Sequence, residues 1–441
     1  MEDNKEILRQ ENENDNDKNN DISSLHNSRK KREKTKGIKF KKYLKKASNK
    51  IKNKIAKETT EINNKNKIGT PIIKKERNPG IDLVRLMTMY FVVLNHFLLF
   101  SKGYKKFKQH IKQLRMLNFF TSWHNDAFGL ISGIVGYKTN KYSNLSYLWL
   151  IVFFYSVGIH IYIKKYWKNF RVSESIYVEY YPIIFSRYWY FTAYFGMYLF
   201  LPIVNKGIAS LSQKEFKLVV MSIVGIFVIW RDYKNPRKDI FKLHSGYSLL
   251  WLLSLYIIGA YIGKYYVIYS GLKKYIYCFI CIFIYSSISY TYYKVYFNEL
   301  YLGNGYYQRR IVFLLKFMLN DRFDSLLFIT QAITVCLFFM QIHYNKYLAK
   351  VICFLGPLAF GIYLIHIHPI ILNNVLHNIF DRDPVDLSLK STMILVLLKP
   401  LKVTCLCILI DFFRHLLFTL LRLRKILSFL EKILMKIMDY V

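Results

Sequence analysis

Ile81-Asp-Leu-Val-Arg-Leu-Met-Thr-Met-Tyr-Phe-Val-Val-Leu-Asn-His-Phe-Leu-Leu-Phe100 is a greasy run that carries Asp82, Arg85 and His96. Its length is that of a helix crossing a bilayer. Arg85 and His96 are about three turns apart at 3.6 residues per turn, so they share a face within roughly 20° and lie about 16 Å apart along the axis. Asp82 sits one turn earlier on nearly the same face. Ionisable side chains in a membrane helix are costly and point into a bundle interior or wet cavity, which makes this face a candidate site. Asp82 and Arg85 also suit the interfacial end of a helix, so His96 is the most informative of the three.

Working outward, this run is one of many. Of 441 residues, 53% are hydrophobic and 17% aromatic, with 37 Tyr and 34 Phe. Mean hydropathy is only +0.14 because two regions are averaged. Residues 1 to about 78 are polar and rich in Lys, Asn and Glu, whereas the remainder is built from apolar runs of bilayer-crossing length. The expected fold is all-α, a polytopic membrane bundle. The net charge of +37 matches lipid headgroups and topology more simply than nucleic acid, and no nucleic-acid partner is expected.

The first 22 residues are acidic and Asn-rich, and a basic block follows from Arg29-Lys-Lys-Arg32 to Lys57. Nothing here builds a core. The arm is expected to be largely disordered, or to lay a short helix bearing Ile38, Phe40, Tyr43 and Leu44 on anionic lipid. It has no apolar segment before a small-residue cleavage site, as a secretory signal would, and its charge places it in the cytoplasm. Cys278, Cys281, Cys336, Cys353, Cys405 and Cys407 all fall in or beside apolar runs and read as small core residues. Cys278-Phe-Ile-Cys281 has a metal-knuckle spacing, but no second Cys or His pair completes it, so no metal is expected.

Ten spans can be drawn, at about 82–101, 117–136, 145–163, 185–204, 216–230, 247–263, 274–293, 323–342, 350–374 and 392–413. Ten crossings return the C-terminus to the cytoplasm. Arg414, Arg422, Arg424 and Lys425 agree with that side, and residues 416–441 form an amphipathic tail ending in Ile426–Val441. The loop after span one is less cooperative. It would lie outside, yet it carries Lys102, Lys105, Lys106, Lys108, Lys112 and Arg115, against the usual charge bias. Ile311–Leu319 is apolar but too short to span, and is expected to be interfacial or re-entrant.

Six segments in order carry a resemblance: Asp82-Leu-Val-Arg85 with His96, Ala127-Phe-Gly-Leu-Ile-Ser-Gly133, Arg187-Tyr-Trp-Tyr-Phe-Thr-Ala-Tyr194 leading to Leu201-Pro-Ile-Val-Asn205, Gly246–Ala260, Phe360-Gly-Ile-Tyr-Leu-Ile-His366, and Ile410-Asp-Phe-Phe-Arg414. Together they resemble the acyltransferase 3 family of integral membrane acyltransferases over roughly residues 80–415. The resemblance implies about ten spans in a domain over 79–415, in a multi-pass protein of the bacterial plasma membrane. It also implies acyl-coenzyme A, usually acetyl-coenzyme A, as co-substrate rather than a resident cofactor, and a glycan or glycolipid hydroxyl as acceptor. The arm over 1–78 is an addition that the family pattern does not supply.

Acyl transfer from a thioester to an alcohol needs a base for the hydroxyl proton, and a neutral imidazole can take it and return it to the leaving thiolate. His96 is the candidate, as base or as transient acyl carrier. Arg85, permanently charged and forked, suits the phosphates of the coenzyme or an oxyanion. Trp189, Tyr190 and Tyr194 could stack on a sugar or adenine ring, or serve as interfacial aromatics. Tyr363 and His366 close a family-like segment and are expected to join Asp82 in substrate binding, whereas His368, before Pro369, reads as interfacial. Ser132 and Gly133 suit close helix approach. His124 and Asp126 fit either a hydrogen-bonded pair or a helix start.

Two other classes stay open. A transporter or flippase of a glycan precursor would also have many spans and buried polar groups, although paired broken helices are not visible. A scaffold docking partners through its basic arm gives no reason for Arg85 and His96 to share a face.

Overall fold

Asn78 and Pro79 start the central helix. In the computed structural model, which describes residues 77–139, 141–167, 175–230, 239–297 and 322–438, α1 spans Pro79–Leu99. The Asn78 side chain accepts the Gly80 N–H at 2.8 Å, and Pro79 lacks only an N–H that the first turn leaves unpaired anyway. Asn78 also donates from its amide to the Met340 carbonyl at 3.2 Å, tying the helix start to a distant element.

Two short turns lead to α2 (Ile111–Thr121) and α3 (His124–Gly136). Then come α4 (Tyr142–Tyr166), α5 (Ile176–Tyr180) and α6 (Trp189–Ser210). Next, α7 (Gln213–Ile223) continues as a π-helical stretch over Val224–Trp230. The chain goes on through α8 (Leu249–Tyr265), α9 (Gly271–Phe297) and α10 (Leu326–Gln341). The last five are α11 (Lys346–Leu355), α12 (Ala359–His366), α13 (Pro369–Asn374), α14 (Leu389–Leu420) and α15 (Leu423–Met438). Every element among the described residues is helical.

The chain divides into two units, Met1–Glu76 and Arg77–Val441. The basic arm and the apolar segment Ile311–Leu319 lie outside the described residues.

All ten expected apolar segments are helical, with shifted limits. The second is split at Ser122-Trp123 into α2 and α3, and the ninth breaks after His366, with Pro369 opening α13. The tenth runs to Leu420, so the amphipathic tail helix begins at Leu423 rather than near residue 416.

Five segments are long and apolar enough to cross a membrane: Pro79–Leu99, Tyr142–Tyr166, Gly271–Val295, Lys346–His366 and Leu389–Leu420. The helices α8 and α10 are apolar but shorter. With 13 residues, α3 reaches only about 20 Å at 1.5 Å per residue, less than a hydrocarbon core. Leu398, Leu406, Phe413 and Leu420 of α14 recur every seven or eight residues and are exposed, as are Leu272, Tyr275, Phe279 and Phe283 of α9. Apolar faces of this kind suit lipid rather than water.

As the hub of the bundle, α1 packs on α3, α10, α11, α12 and α14. The most extensive pairing elsewhere is α3 against α8. A methyl at Gly133 would lie 2.0 Å from the Tyr256 carbonyl oxygen, and one at Gly259 would lie 2.1 Å from that of Leu130. Small residues let these two backbones meet, as expected for Gly133.

Candidate active site

The stripe on α1 forms both ends of one cavity of about 730 Å³. Arg85, Met89, Val92 and His96 all line it, so the helical period alone explains why residues three turns apart see one space.

Near the start of α1, Asp82 is buried, with 1% of its surface exposed. It accepts from the Nη1 of Arg85 at 2.7 Å and from the Nη2 of Arg77 at 2.7 Å. The Nε of Arg77 completes a forked pair with the same carboxylate. That pairing holds the Arg77 guanidinium above its ordinary pKa. Asp82 itself does not line the cavity; it orients two arginines that do. Gly356, at the α11–α12 junction, permits this arrangement, because a methyl there would stand 2.6 Å from Asp82 Oδ1.

Near the end of α1, His96 Nδ1 lies 2.9 Å from His366 Nε2. His366 Nδ1 in turn lies 2.5 Å from the carbonyl oxygen of Ile362, one turn earlier on α12. The His366 side chain is fully buried behind the cavity wall. The ring of Phe100 packs on His96 with centroids 5.1 Å apart.

Trp189, Tyr190, Tyr194 and Tyr363 all line the cavity. Trp189 packs edge-on to Tyr247 at 4.5 Å between centroids, Tyr247 on Phe323 at 5.4 Å, and Phe323 on His124 at 5.7 Å. These rings form an aromatic collar at the His96 end, where His124 Nδ1 lies 3.3 Å from the side-chain amide of Asn95, the residue before His96. The start of α6 is anchored there by Arg187, which pairs with Glu179 of α5, while Glu179 accepts from Ser156 of α4 at 2.6 Å. Opposite it, His244, Ser245 and Gly246 have φ of 51°, 57° and 95°. The Phe323 N–H donates to the Ser245 carbonyl at 3.2 Å, which holds this left-handed turn beside Tyr247.

Among the described residues the cavity lining holds Arg77, Arg85, Arg414 and Arg424 and no Asp or Glu. Arg414 grips buried Asp411 in a forked pair at 2.9 and 2.6 Å, and Arg424 stacks over the Tyr147 ring at 4.4 Å. Asp411 packs on Gly361, between Gly356 at Asp82 and His366 at His96, and α14 enters from the loop beyond the end of α1, where the His110 ring meets the Leu387 carbonyl at 2.8 Å, so Arg414, one turn further on α14, lies toward the Arg85 end. Such a surface attracts anions. Among the described residues no group of three or more His, Cys, Asp or Glu converges as a metal site.

Sequence reasoning missed several of these residues. Arg77 looks like part of the basic arm and Arg424 like a topology signal, while Arg414 and Tyr247 lie in family-like segments without a role assigned to them. Phe323 carries no local signal. His124 also lines the cavity, but it is not paired with Asp126. Its Nδ1 meets the Thr121 carbonyl at 2.8 Å, while Asp126 accepts from the Trp251 indole at 2.9 Å. Ser132 spends its hydroxyl on the Phe128 carbonyl at 2.8 Å. His368 is held inside the bundle. It is fully buried and caps α13 with its ring at 3.3 Å from the Ile370 N–H, because a break next to Pro369 leaves backbone donors to satisfy.

No curated protein and no solved structure matches the chain significantly. A family model described as an acyltransferase domain matches residues 78–410, which includes α1, the collar helix α6, α12 and most of α14. With well over half of its length matched, the chain belongs to the acyltransferase 3 family of membrane acyltransferases.

Proposed function

We propose that this acyltransferase moves an acyl group, acetyl in the simplest case, from acyl-coenzyme A to a hydroxyl of a cell-surface polysaccharide or glycolipid. The observation that carries the reading is that a single cavity joins an end lined by arginines, their carboxylate partners set behind the described lining, to an imidazole set in an aromatic collar. Coenzyme A carries its charge on its phosphates and its thioester arm is uncharged, so the arginines suit its phosphates and the largely apolar walls its acyl arm. Aromatic faces suit the C–H surface of a pyranose ring.

In the proposed step, His96 Nε2 takes the proton of the acceptor hydroxyl as the oxygen attacks the thioester carbon. The new C–O bond forms, the C–S bond breaks, and the imidazolium returns its proton to the departing thiolate, leaving an ester and free coenzyme A. A route through an acyl-imidazole uses the same nitrogen as nucleophile. Arg85 and Arg77, fixed on Asp82, hold the donor's phosphates, with Arg85 about 16 Å along the axis from His96, so that the pantetheine arm spans the gap and brings the thioester to the imidazole.

The reading extends to topology. Ten crossings of the bacterial plasma membrane, with both termini in the cytoplasm, put the Arg85 end on the side of the soluble donor and His96 toward the outer acceptor. The basic arm and the positive tail support that orientation.

The test is transfer of label from acetyl-coenzyme A to the glycan fraction of isolated membranes, comparing wild type with His96→Ala and Arg85→Ala. Labelling that needs both residues supports the reading. Equal labelling in both variants removes the mechanism, and absence of labelling with intact wild-type protein turns the choice to a glycan transporter.

A further inference from the structure

We infer that His366 is a positioning residue that fixes His96 as the Nδ1–H tautomer and so leaves the Nε2 lone pair in the cavity. The inference rests on the proposed role of His96 as the base, but its geometry stands on three hydrogen-bonding groups in series.

The series has one polarity. The Ile362 carbonyl can only accept, so at 2.5 Å the His366 Nδ1 must carry a hydrogen and donate it. In a neutral imidazole the other nitrogen is then the acceptor, so His366 Nε2 presents a lone pair. At 2.9 Å from that lone pair, His96 Nδ1 must be the donor. No other group among the described residues bonds to the His96 side chain, and His96 lines the cavity, so Nε2 remains as its basic nitrogen. A backbone carbonyl, one turn back on α12, thus decides through two rings which nitrogen of His96 is the base. The arrangement also suits the charged state: when Nε2 takes a proton, Nδ1–H still donates to His366, so the new imidazolium keeps its partner.

The surroundings leave little freedom for the alternative. His366 is fully buried between α1, α12 and the Tyr363 ring, whose centroid lies 6.4 Å from its own. Flipping it would set its Cδ2 against the Ile362 oxygen and its Cε1 against His96 Nδ1, forfeiting both bonds. A glutamine at this position can still offer an oxygen to His96 Nδ1–H, whereas leucine fills the space without an acceptor.

The test has two arms. In the first, His366→Gln and His366→Leu are compared with wild type for acetyl transfer in membranes. His366→Gln is expected to keep activity within about tenfold. His366→Leu is expected to lose on the order of 10²- to 10³-fold in kcat, the range of a lost general base, with an unchanged KM for acetyl-coenzyme A. A residue that only fills space would give the opposite order or equal losses, and that result overturns the proposal. In the second arm, ¹⁵N-histidine NMR of the wild-type protein in detergent, with the His96 signals assigned by their loss in His96→Gln, reads the tautomer without substrate. Protonated Nδ1 and bare Nε2 on His96 are expected, and a proton on Nε2 overturns the proposal even where His366→Leu fails to fold. An absence of transfer by wild type alongside the expected tautomer would count against the acyl-transfer reading and leave this inference standing.

Discussion

His96 and His366 are 270 residues apart in sequence and 2.9 Å apart in space. One belongs to the helix at the hub of the bundle and the other to the last turn of α12, which runs beside it. Gly356 at Asp82 and His366 at His96 fix the register of the two helices at both ends of the cavity, so the arginine pair and the imidazole pair are set by one packing interface.

If His96 is the group that handles the proton, removing it leaves binding intact and chemistry lost. His96→Ala is expected to lower kcat for acetyl transfer by about 10³-fold, within the range for a positioned general base, while the KM for acetyl-coenzyme A changes less than about threefold. Steady-state kinetics on purified protein in detergent, with yield and melting temperature checked in parallel, measures both. A loss that appeared only in KM would assign His96 to binding.

Arg85 predicts the reverse split. Charge-assisted hydrogen bonds contribute about 1.5–3 kcal/mol, so Arg85→Ala should raise the KM for acetyl-coenzyme A by roughly ten- to a hundredfold, with a smaller effect on kcat. Arg85→Lys keeps the charge but not the fork and should fall between. Raising the salt concentration should weaken donor binding by wild type more than by Arg85→Ala, since screening acts on the charge the variant lacks.

Asp82 is a different matter, because it faces arginines rather than substrate. Asp82→Asn leaves two guanidinium groups without their counter-charge. Breaking a buried pair costs about 3–5 kcal/mol; here Arg77 is half exposed, so a loss of about 2–3 kcal/mol is expected. It should appear as a lower melting temperature in detergent together with a raised KM for the donor. A variant as stable as wild type would show that the arginines hold their positions without Asp82.

What the sequence made legible was local. Along one helix the 3.6-residue period places Arg85 and His96 on a common face with no knowledge of the rest of the chain, and both line the cavity. The apolar runs likewise marked the helices, because burial in lipid leaves a compositional trace twenty residues long. The partners that cross between helices were not legible. Nothing near residue 366 states which turn of α12 meets His96, and Arg77 and Arg424 look like any other charge beside a membrane. The loop rings Tyr247 and Phe323 depend on a left-handed turn at residues 244–246 that composition does not announce. The burial of His368 was not legible for the same reason, since the break that buries it is a property of packing.

The α3–α8 contact gives a stability prediction with an internal control. At Gly133 any side chain runs into the Tyr256 carbonyl, so Gly133→Val is expected to cost about 3 kcal/mol, the upper range for overpacking, or to prevent folding. A methyl at Gly158 of α4 meets nothing within 4 Å, and Gly158→Ala should instead stabilise by about 0.5–1 kcal/mol through its effect on helix formation. Melting curves of the two variants side by side test whether the helices approach as closely as their backbones indicate.

The aromatic collar should be felt by the acceptor and not by the donor. Trp189 and Tyr247 meet at 4.5 Å on the His96 side, and an aromatic contact contributes about 0.5–1.5 kcal/mol beyond area burial. Trp189→Ala and Tyr247→Ala are therefore each expected to raise the KM for a soluble oligosaccharide acceptor by about three- to tenfold, leaving the KM for acetyl-coenzyme A unchanged. Phenylalanine at position 247 keeps the ring face and should restore most of the affinity. Because the two rings touch, their effects should not add: the double variant is expected to lose less than the product of the single losses. A donor-side effect in either variant would move the acceptor elsewhere in the cavity. Full additivity would mean that the rings act on separate parts of the glycan instead of forming one platform.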